Sequence, residues 1–107
     1  MTGDELVSLL AALASPHRLR ILAALTDGRT YVSELARRLR MNRPLLYMHL
    51  QKLEAAGLVT GELVTAADGS SVKYVEAVPF VVTLDLDAIA AAAPTVTLPG
   101  PAADKGK

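Results

Sequence analysis

The side chains best suited to chemistry lie in the segment MNRPLLYMHLQKLE, residues 41–54, and that chemistry is recognition. Arginine can make paired hydrogen bonds to guanine and glutamine to adenine, so Arg43 and Gln51 carry the groups needed to read base edges. The neighbouring Leu45, Tyr47 and Met48 offer mainly apolar contact, which is also typical of a protein-binding surface. On this segment alone both interpretations stay open.

Basic residues are concentrated around this segment, although the whole chain has no net charge. Residues 17–52 contain eight Lys or Arg side chains and two acidic ones, whereas residues 53–104 contain one basic and seven acidic side chains. A balance of +6 followed by −6 predicts a localised positive face on a neutral molecule, as binding to nucleic acid requires. The alternative is an ordinary solvated helix surface.

The remaining composition argues against several other classes of function. The chain of 107 residues has no cysteine, which removes disulfides, thiolate metal ligands and thiol nucleophiles. It has no glycine-rich phosphate loop after a strand and no carboxylate pair on an apolar wall, so we predict that it is not an enzyme. It also lacks a signal-like leader and an apolar run of about 18 residues, so we expect a cytoplasmic protein without a membrane segment.

Two helices are predicted in residues 4–28. Residues 4–14 form the first, which is apolar nearly all round and therefore needs burial on two sides, one of which could be a partner subunit. Ser15 and Pro16 provide the cap and first turn of the second helix, which ends at Gly28. Its residues expected to face the core are Leu19, Leu22, Ala23 and Leu25.

Two further helices carry most of the basic residues. After a β-like link over residues 29–32, Ser33 is expected to cap the third helix, which faces the core with Leu35, Ala36 and Leu39. Asn42 caps the fourth helix, residues 43–56, and Gly57 ends it. At 100° per residue, its core stripe consists of Leu46, Leu50 and Leu53.

The pattern changes after residue 58 to two β-branched runs, LVTGELVTA and SVKYVEAV, separated by a turn at residues 67–70. A last short helix is predicted from Leu84 or Asp85 to Ala93, with Asp85 and Asp87 in its first turn. Residues 94–107 contain little to bury, so we expect a disordered tail. The fold class predicted for residues 1–93 is mainly α with a small β-hairpin: a winged helix-turn-helix with a three-helix core, a two-stranded wing and flanking terminal helices.

Three stretches in this order resemble one known family. The run ALASPHRLRILAAL, the segment ELARRLRMNRPLLYMHLQKLEAAGLV and the hairpin ending in KYVEAVP together resemble the ArsR-like winged helix-turn-helix transcriptional regulators. The resemblance covers roughly residues 5–93. It implies a cytoplasmic homodimer that pairs through its first and last helices, binds double-stranded DNA at a pseudo-palindromic operator and represses until an inducer releases it.

The charge pattern and the resemblance together give two sets of candidate residues. The predicted DNA-binding residues are Arg37, Arg38, Arg40, Asn42, Arg43, Leu45, Tyr47, Met48, Gln51, Lys52, Ser70 and Lys73. The predicted dimer-interface residues are Leu6, Val7, Leu9, Leu10, Leu13, Leu86, Ile89 and Ala90. The inducer and any protein partner stay unidentified, and we predict no cofactor.

The chain departs from the family pattern at several of these positions. The family commonly has small hydroxylated residues where Leu45 and Tyr47 stand, so base reading should depend on Arg43 and Gln51. The wing carries little positive charge, which predicts a weak phosphate contact there. The family's metal sites use Cys on the third helix or Asp and His clusters on the last one, and these stretches hold no Cys or His, so no metal site is predicted.

Overall fold

The computed structural model describes residues 1–99 and builds them from short helices and one small sheet. The α-helices are α1 (Gly3–Leu13), α2 (Pro16–Ala24), α3 (Val32–Leu39), α4 (Arg43–Ala55) and α5 (Leu86–Ala92). The strands are β1 (Thr30–Tyr31), β2 (Val59–Thr65) and β3 (Ser71–Ala77), and 3-10 turns occupy Leu25–Asp27 and Ala93–Thr95. This order confirms the predicted fold class.

Four of the helices begin at a side-chain cap. Thr2, Ser15, Asn42 and Asp85 each accept a hydrogen bond from the backbone N–H three residues later, which satisfies a donor that the helix itself leaves free. The third helix differs, because α3 begins at Val32 behind Tyr31 without a side-chain cap. α3 therefore begins earlier than the predicted cap at Ser33 implied, because pairing between β1 and β3 holds Tyr31 extended up to the first helical residue.

The core is aliphatic and is centred on α3 and α4. Leu35, Leu46, Leu50 and Leu53 are fully buried, and Ala36 and Leu39 are buried beside them. Both predicted core stripes are therefore confirmed. Burial of each leucine contributes about 1.5–3 kcal/mol, so these residues hold the two helices in one orientation.

The inward face of α2 was predicted correctly at Leu22 and Leu25 but wrongly at Leu19 and Ala23. Ile21 and Leu25, one turn apart, are buried, whereas the side chain of Leu19 is 53% exposed and Ala23 is exposed. Leu22 packs partly against the core. Leu19 lies about 200° from Ile21 around the helix, so both cannot face the same core. Apolar residues fill most of this helix, which made its phase ambiguous in the sequence.

A sharp bend separates α1 from α2. Among the described residues no single helix is long and apolar enough to span a membrane, although α1 and the α2 segment through Asp27, bent by 87°, pass that test together on length and composition. Ser15 provides the cap at the bend, where its hydroxyl oxygen accepts a hydrogen bond from the N–H of Arg18.

The wing has three strands, not the predicted two. The sheet order is β1-β3-β2 with antiparallel pairing, and β1 pairs Thr30 with Val75 and Tyr31 with Tyr74. The hairpin itself was predicted correctly and pairs β2 with β3 from Val59–Ala77 to Thr65–Ser71. Two residues are too few to show a period-two pattern, so β1 could be read from the sequence only as a β-like link.

Contacts with the start of α1 extend beyond the predicted boundary at residue 93. Thr95 continues the last 3-10 turn, and its hydroxyl accepts a hydrogen bond of 2.6 Å from the N–H of Gly3. Thr97 donates from its backbone and its hydroxyl to the carboxylate of Asp4, which lowers the pKa of Asp4. Residues 95 and 97 therefore contact the start of α1, and the disordered tail predicted from residue 94 stays a prediction. The rest of the predicted tail from residue 100 lies outside the described residues.

Close contact between α1 and the end of α5 depends on Gly3. A Cβ at this position would overlap the carbonyl oxygen of Ala92 and crowd Val96, so backbone would have to shift. We expect Gly3→Ala to lower the free energy of unfolding by about 1–3 kcal/mol, measured by urea denaturation. Ser8→Ala, at an exposed position of the same helix, is the control. Equal midpoints for the two variants would show that this contact contributes nothing.

Candidate nucleic-acid interface

A tight turn places α4 against α3. Arg40 ends α3 with φ of 52° in the left-handed region, and the N–H of buried Met41 donates to the carbonyl of Ala36 at 3.0 Å. Asn42 then caps α4, with its Oδ1 accepting from the N–H of Leu45 at 2.9 Å. One acceptor of Asn42 is therefore committed to the helix, and its amide NH₂ is the group left for a ligand.

The outer face of α4 carries the groups predicted to read bases. Pro44, Met48 and Gln51 are exposed on the side opposite Leu46, Leu50 and Leu53, and Arg43 and Tyr47 are exposed at the flank of that face, nearer Leu50. The position of this face follows from helical periodicity once the leucine stripe is buried. A rigid helix therefore presents one arginine and one glutamine to solvent, two turns apart.

Two of the predicted contacts lie at the edge of this face. Leu45 is half-buried and packs against the core, so the apolar patch predicted from Leu45, Tyr47 and Met48 is smaller than expected. Lys52 is exposed but lines a cleft with Ser8 and Ala12 of α1. Leu45 and Lys52 occupy the same stripe of α4, which is turned towards the first two helices.

The arginines of α3 are partly neutralised. Arg37 forms two-pronged hydrogen bonds with Glu34, at 2.6–3.1 Å, and these lower the pKa of the carboxyl group. Arg38 contacts Asp27 at 3.3 Å, whereas Arg40 and Arg43 form no ion pair among the described residues. That these cations converge on one face stays a prediction. Within it, Arg40 and Arg43 would supply positive charge that no acidic side chain of the described residues offsets.

The wing offers less to an anion than its residue types suggest. The backbone N–H and the hydroxyl of Ser70 both donate to Oδ1 of Asp68, at 2.9 and 2.6 Å, and these bonds lower the pKa of Asp68. Lys73 lies 3.6 Å from the carboxylate of Glu54 and above the ring of Tyr47. Both candidate wing contacts therefore have partners within the chain.

Arg29 makes contacts that were not predicted from the sequence. Its guanidinium lies 4.3 Å from the centre of the Tyr74 ring and 3.7 Å from Glu62. Tyr31 meets the same ring edge-on at 6.0 Å. These contacts hold the start of β1 to the outer face of the wing. Tyr31 and Tyr74 are the only hint of these contacts in the sequence, and it is the pairing of β1 with β3 that places the two rings opposite each other.

Arg18 is a second residue whose role was missed. Its Nε donates to the carbonyl of Ala12 at 2.7 Å, its Nη2 to that of Ala11 at 3.3 Å, and its Nη1 lies 3.2 Å from Nδ1 of His49. One guanidinium therefore binds the carbonyl end of α1 and a side chain of α4. The position of α4 relative to α1 depends on this residue.

His49 is buried, with 6% of its surface exposed. Because Nδ1 faces the guanidinium donor, the neutral ring must carry its proton on Nε2, which meets no hydrogen-bond partner among the described residues. Burial lowers the pKa of His49 below its ordinary 6.5, and the neighbouring Arg18, His17 and Lys52 lower it further. His49 is therefore a neutral packing and positioning residue at pH 7.

Acid is expected to destabilise the fold through this ring. The unfolded chain binds a proton at His49 near pH 6.5 but the folded chain only at lower pH, so stability falls as pH drops below that value. We expect His49→Gln to lose less stability than the original chain between about pH 7.5 and about pH 5.5, measured by urea denaturation. A parallel loss in both proteins would contradict the assignment of a neutral, buried ring.

The predicted dimer residues divide into two groups. Val7, Leu10, Leu86, Ile89 and Ala90 are exposed, and no residue of α5 is buried within the protomer. Leu9 is instead buried in the protomer's own core, and Leu6 and Leu13 are half-buried, because α1 turns this side towards the other helices. Leu9 is therefore corrected to a core residue, and the exposed group stays a prediction.

The acidic residues at the start of α5 serve the helix. Asp85 precedes the helix as its cap, accepting from the N–H of Ala88 at 2.7 Å, whereas Asp87 lies in the first turn, where both were predicted. In residues 1–99, no group of three His, Cys, Asp or Glu side chains is placed to hold a metal ion.

Comparisons with known proteins agree with this arrangement. A family model described as a helix-turn-helix domain matches residues 13–62. An uncharacterised HTH-type transcriptional regulator of Methanocaldococcus jannaschii is 39% identical over 71 residues, which are 66% of this chain and 73% of that protein. The HTH-type transcriptional repressor SmtB of Mycobacterium tuberculosis is 39% identical over 87 residues, which are 81% of this chain but 62% of the repressor.

Solved structures give the same result. The homodimeric winged helix-turn-helix DNA-binding domain of a possible ArsR-family regulator from Mycobacterium bovis is 30% identical, with a TM-score of 0.58 over 69% of this chain and 64% of that one. An ArsR family transcriptional regulator is 28% identical, with a TM-score of 0.61 over 71% of this chain and 78% of that one. With a capped helix-turn-helix, a three-stranded wing and these relatives, the chain belongs to the ArsR-like winged helix-turn-helix transcriptional regulators.

Proposed function

We propose that this chain is a cytoplasmic, dimeric repressor that binds a pseudo-palindromic operator with α4 in the major groove. The observation that carries the proposal is the exposure of Arg43 and Gln51 on α4, a helix whose orientation is set by a fully buried leucine stripe. A rigid helix with these groups fits the width of the major groove and can distinguish base pairs there.

The neighbouring elements support positioning on the DNA backbone. Arg40 ends α3 next to the turn and lies exposed beside Asn42, whose NH₂ group is not used by the cap. These groups are suited to phosphate contacts that fix the register of α4 without reading sequence. Arg37 and Arg38 must first release Glu34 and Asp27, so we propose a smaller contribution from them.

Dimerisation supplies the second half-site. The Mycobacterium bovis relative is described as homodimeric, and SmtB is named a repressor. In this chain α5 buries no residue of its own, and Val7, Leu10 and Ile89 expose apolar surface that a second copy could cover. A two-fold axis through these helices would present two copies of α4 to one face of the duplex.

Selection of genomic fragments by the purified protein at two salt concentrations tests the proposal. We expect one enriched, roughly palindromic motif and an affinity that falls steeply as salt rises, because bound phosphates release counterions. DNA binding would be refuted as the function if no preferred motif were recovered and the affinity did not change with salt concentration.

A protein-interaction role for the same face is the second candidate. Exposed Tyr47 and Met48 favour it, because large apolar side chains in one patch mark protein contacts. The patch is small, since Leu45 packs against the core. A pull-down in which Tyr47→Ala abolishes capture of a protein, from a chain that binds no DNA, would support this candidate over the regulator. No catalytic role is proposed.

A further inference from the structure

A single ammonium group connects the wing to α4. Lys73 extends from β3 so that its Nζ lies 3.6 Å from Oε2 of Glu54 and 5.9 Å from the centre of the Tyr47 ring. Tyr47 and Glu54 are two turns apart on α4 and therefore share one stripe of the helix. Lys73 and Glu54 are each 30% exposed, so solvent screens this ion pair only in part.

Gly61 leaves the space in which this pair forms. A Cβ on Gly61 would lie 2.6 Å from Oε1 of Glu54 and 2.7 Å from Cε of Lys73. Its φ is not positive, so the backbone of β2 does not itself require glycine. Glycine weakens a strand interior, and its position here is explained by the two side chains that pass over it.

The contact lies where packing between the wing and the helix ends. Val59 and Val75 are buried at the base of the hairpin, and Gly61 and Lys73 are each two residues nearer the turn on the same face. Residues 65–71 are all exposed. The direction of the outer wing therefore depends on the contacts that Lys73 makes with Glu54 and Tyr47.

We propose that Glu54, Lys73, Tyr47 and Gly61 form a strut that sets the angle of the wing against the recognition helix, and that Lys73 acts as a positioning residue, not as a phosphate ligand. The inference rests on the proposed DNA-binding function and revises the predicted role of Lys73. Glu54 offsets the charge of Lys73, which a phosphate contact would need free, and Tyr47 covers another side of the ammonium.

The two roles predict opposite results for the same variants. If the strut positions the wing, Glu54→Gln, Lys73→Gln and Gly61→Ala should each weaken operator binding about fivefold, and the double variant Glu54→Gln/Lys73→Gln no further. The salt dependence should stay unchanged. If Lys73 binds a phosphate, Lys73→Gln should reduce the salt slope by about one contact, Glu54→Gln should strengthen binding and Gly61→Ala should be neutral.

Gly61→Ala is the sharpest of these variants because it changes no charge. Its Cβ meets the ends of two flexible side chains, so the pair opens while the backbone stays in place. Glu76→Gln, at an exposed position of β3, controls for the loss of one negative charge on the wing. If Glu54→Gln and Glu76→Gln both bound the operator more tightly than the original chain, the strut would be overturned.

A second measurement tests the strut without DNA and so separates its failure from failure of the proposed function. The chain has no cysteine, so spin labels can be placed through Ala67→Cys on the wing turn and Arg20→Cys on α2. With labelled protein diluted into unlabelled protein, we expect a narrow distance distribution that broadens in Gly61→Ala and Glu54→Gln but not in Glu76→Gln. An unchanged distribution in Gly61→Ala would overturn the inference whether or not the protein binds DNA.

Discussion

Replacing Arg43 with alanine is expected to weaken operator binding by about 1–3 kcal/mol and to abolish the preference for guanine at one position of each half-site. The physical reason is the loss of two parallel hydrogen bonds from an exposed guanidinium, held at the first residue of a capped helix. Competition binding against a library randomised at each operator position measures both effects.

Arg43→Lys separates base reading from charge at this position. Lysine keeps the positive charge but lacks the planar fork, so we expect the salt slope to be retained while the discrimination for guanine falls. Gln51→Ala should produce a matching loss at an adenine, without any change of salt slope. Uniform weakening across all sequences in Arg43→Ala would instead show that this arginine contacts phosphate.

Ile89→Asp is expected to weaken the dimer by about 100- to 1,000-fold and to abolish operator binding at concentrations where the original chain is saturated. Ile89 is 45% exposed within the protomer, on a helix that buries none of its own residues. A two-fold interface would lose the isoleucine twice and gain two aspartates. The protomer itself should stay folded, because no core contact is removed.

Sedimentation velocity and far-UV circular dichroism measure the two parts of this prediction. The control is Leu63→Asp, an exposed apolar residue on β2, which should leave the oligomeric state unchanged. A dimer of unchanged affinity in Ile89→Asp would place the interface elsewhere. Loss of helix in the circular dichroism spectrum would show that α5 has a structural role within the protomer.

Residues with one strong local pattern were predicted well from the sequence. Leu46, Leu50 and Leu53 recur at helical spacing between a capping Asn42 and a terminating Gly57, so the phase of α4 had one solution. The hairpin was similarly constrained by two β-branched runs around a turn. These patterns fix which face of α4 is exposed, and hence the candidate site.

Features that depend on distant partners were not predicted. Leu19 and Ile21 are equally apolar, so only tertiary packing shows which one faces the core. The contacts of residues 95 and 97 are with the start of α1, more than 90 residues earlier. In the candidate site, the residue types identified Lys73 as a cation, but its pairing with Glu54 depends on the space left by Gly61 on a third element.

The position of α4 in the major groove is the central claim, and methylation protection of a selected operator tests it most directly. Dimethyl sulfate methylates guanine N7 in the major groove and adenine N3 in the minor groove, so it reports the two grooves separately. We expect protected guanines in two sets about one helical turn apart, with one guanine in each set exposed again in Arg43→Ala. Reactive guanines beside protected adenines would contradict the central claim, because α4 would then not occupy the major groove.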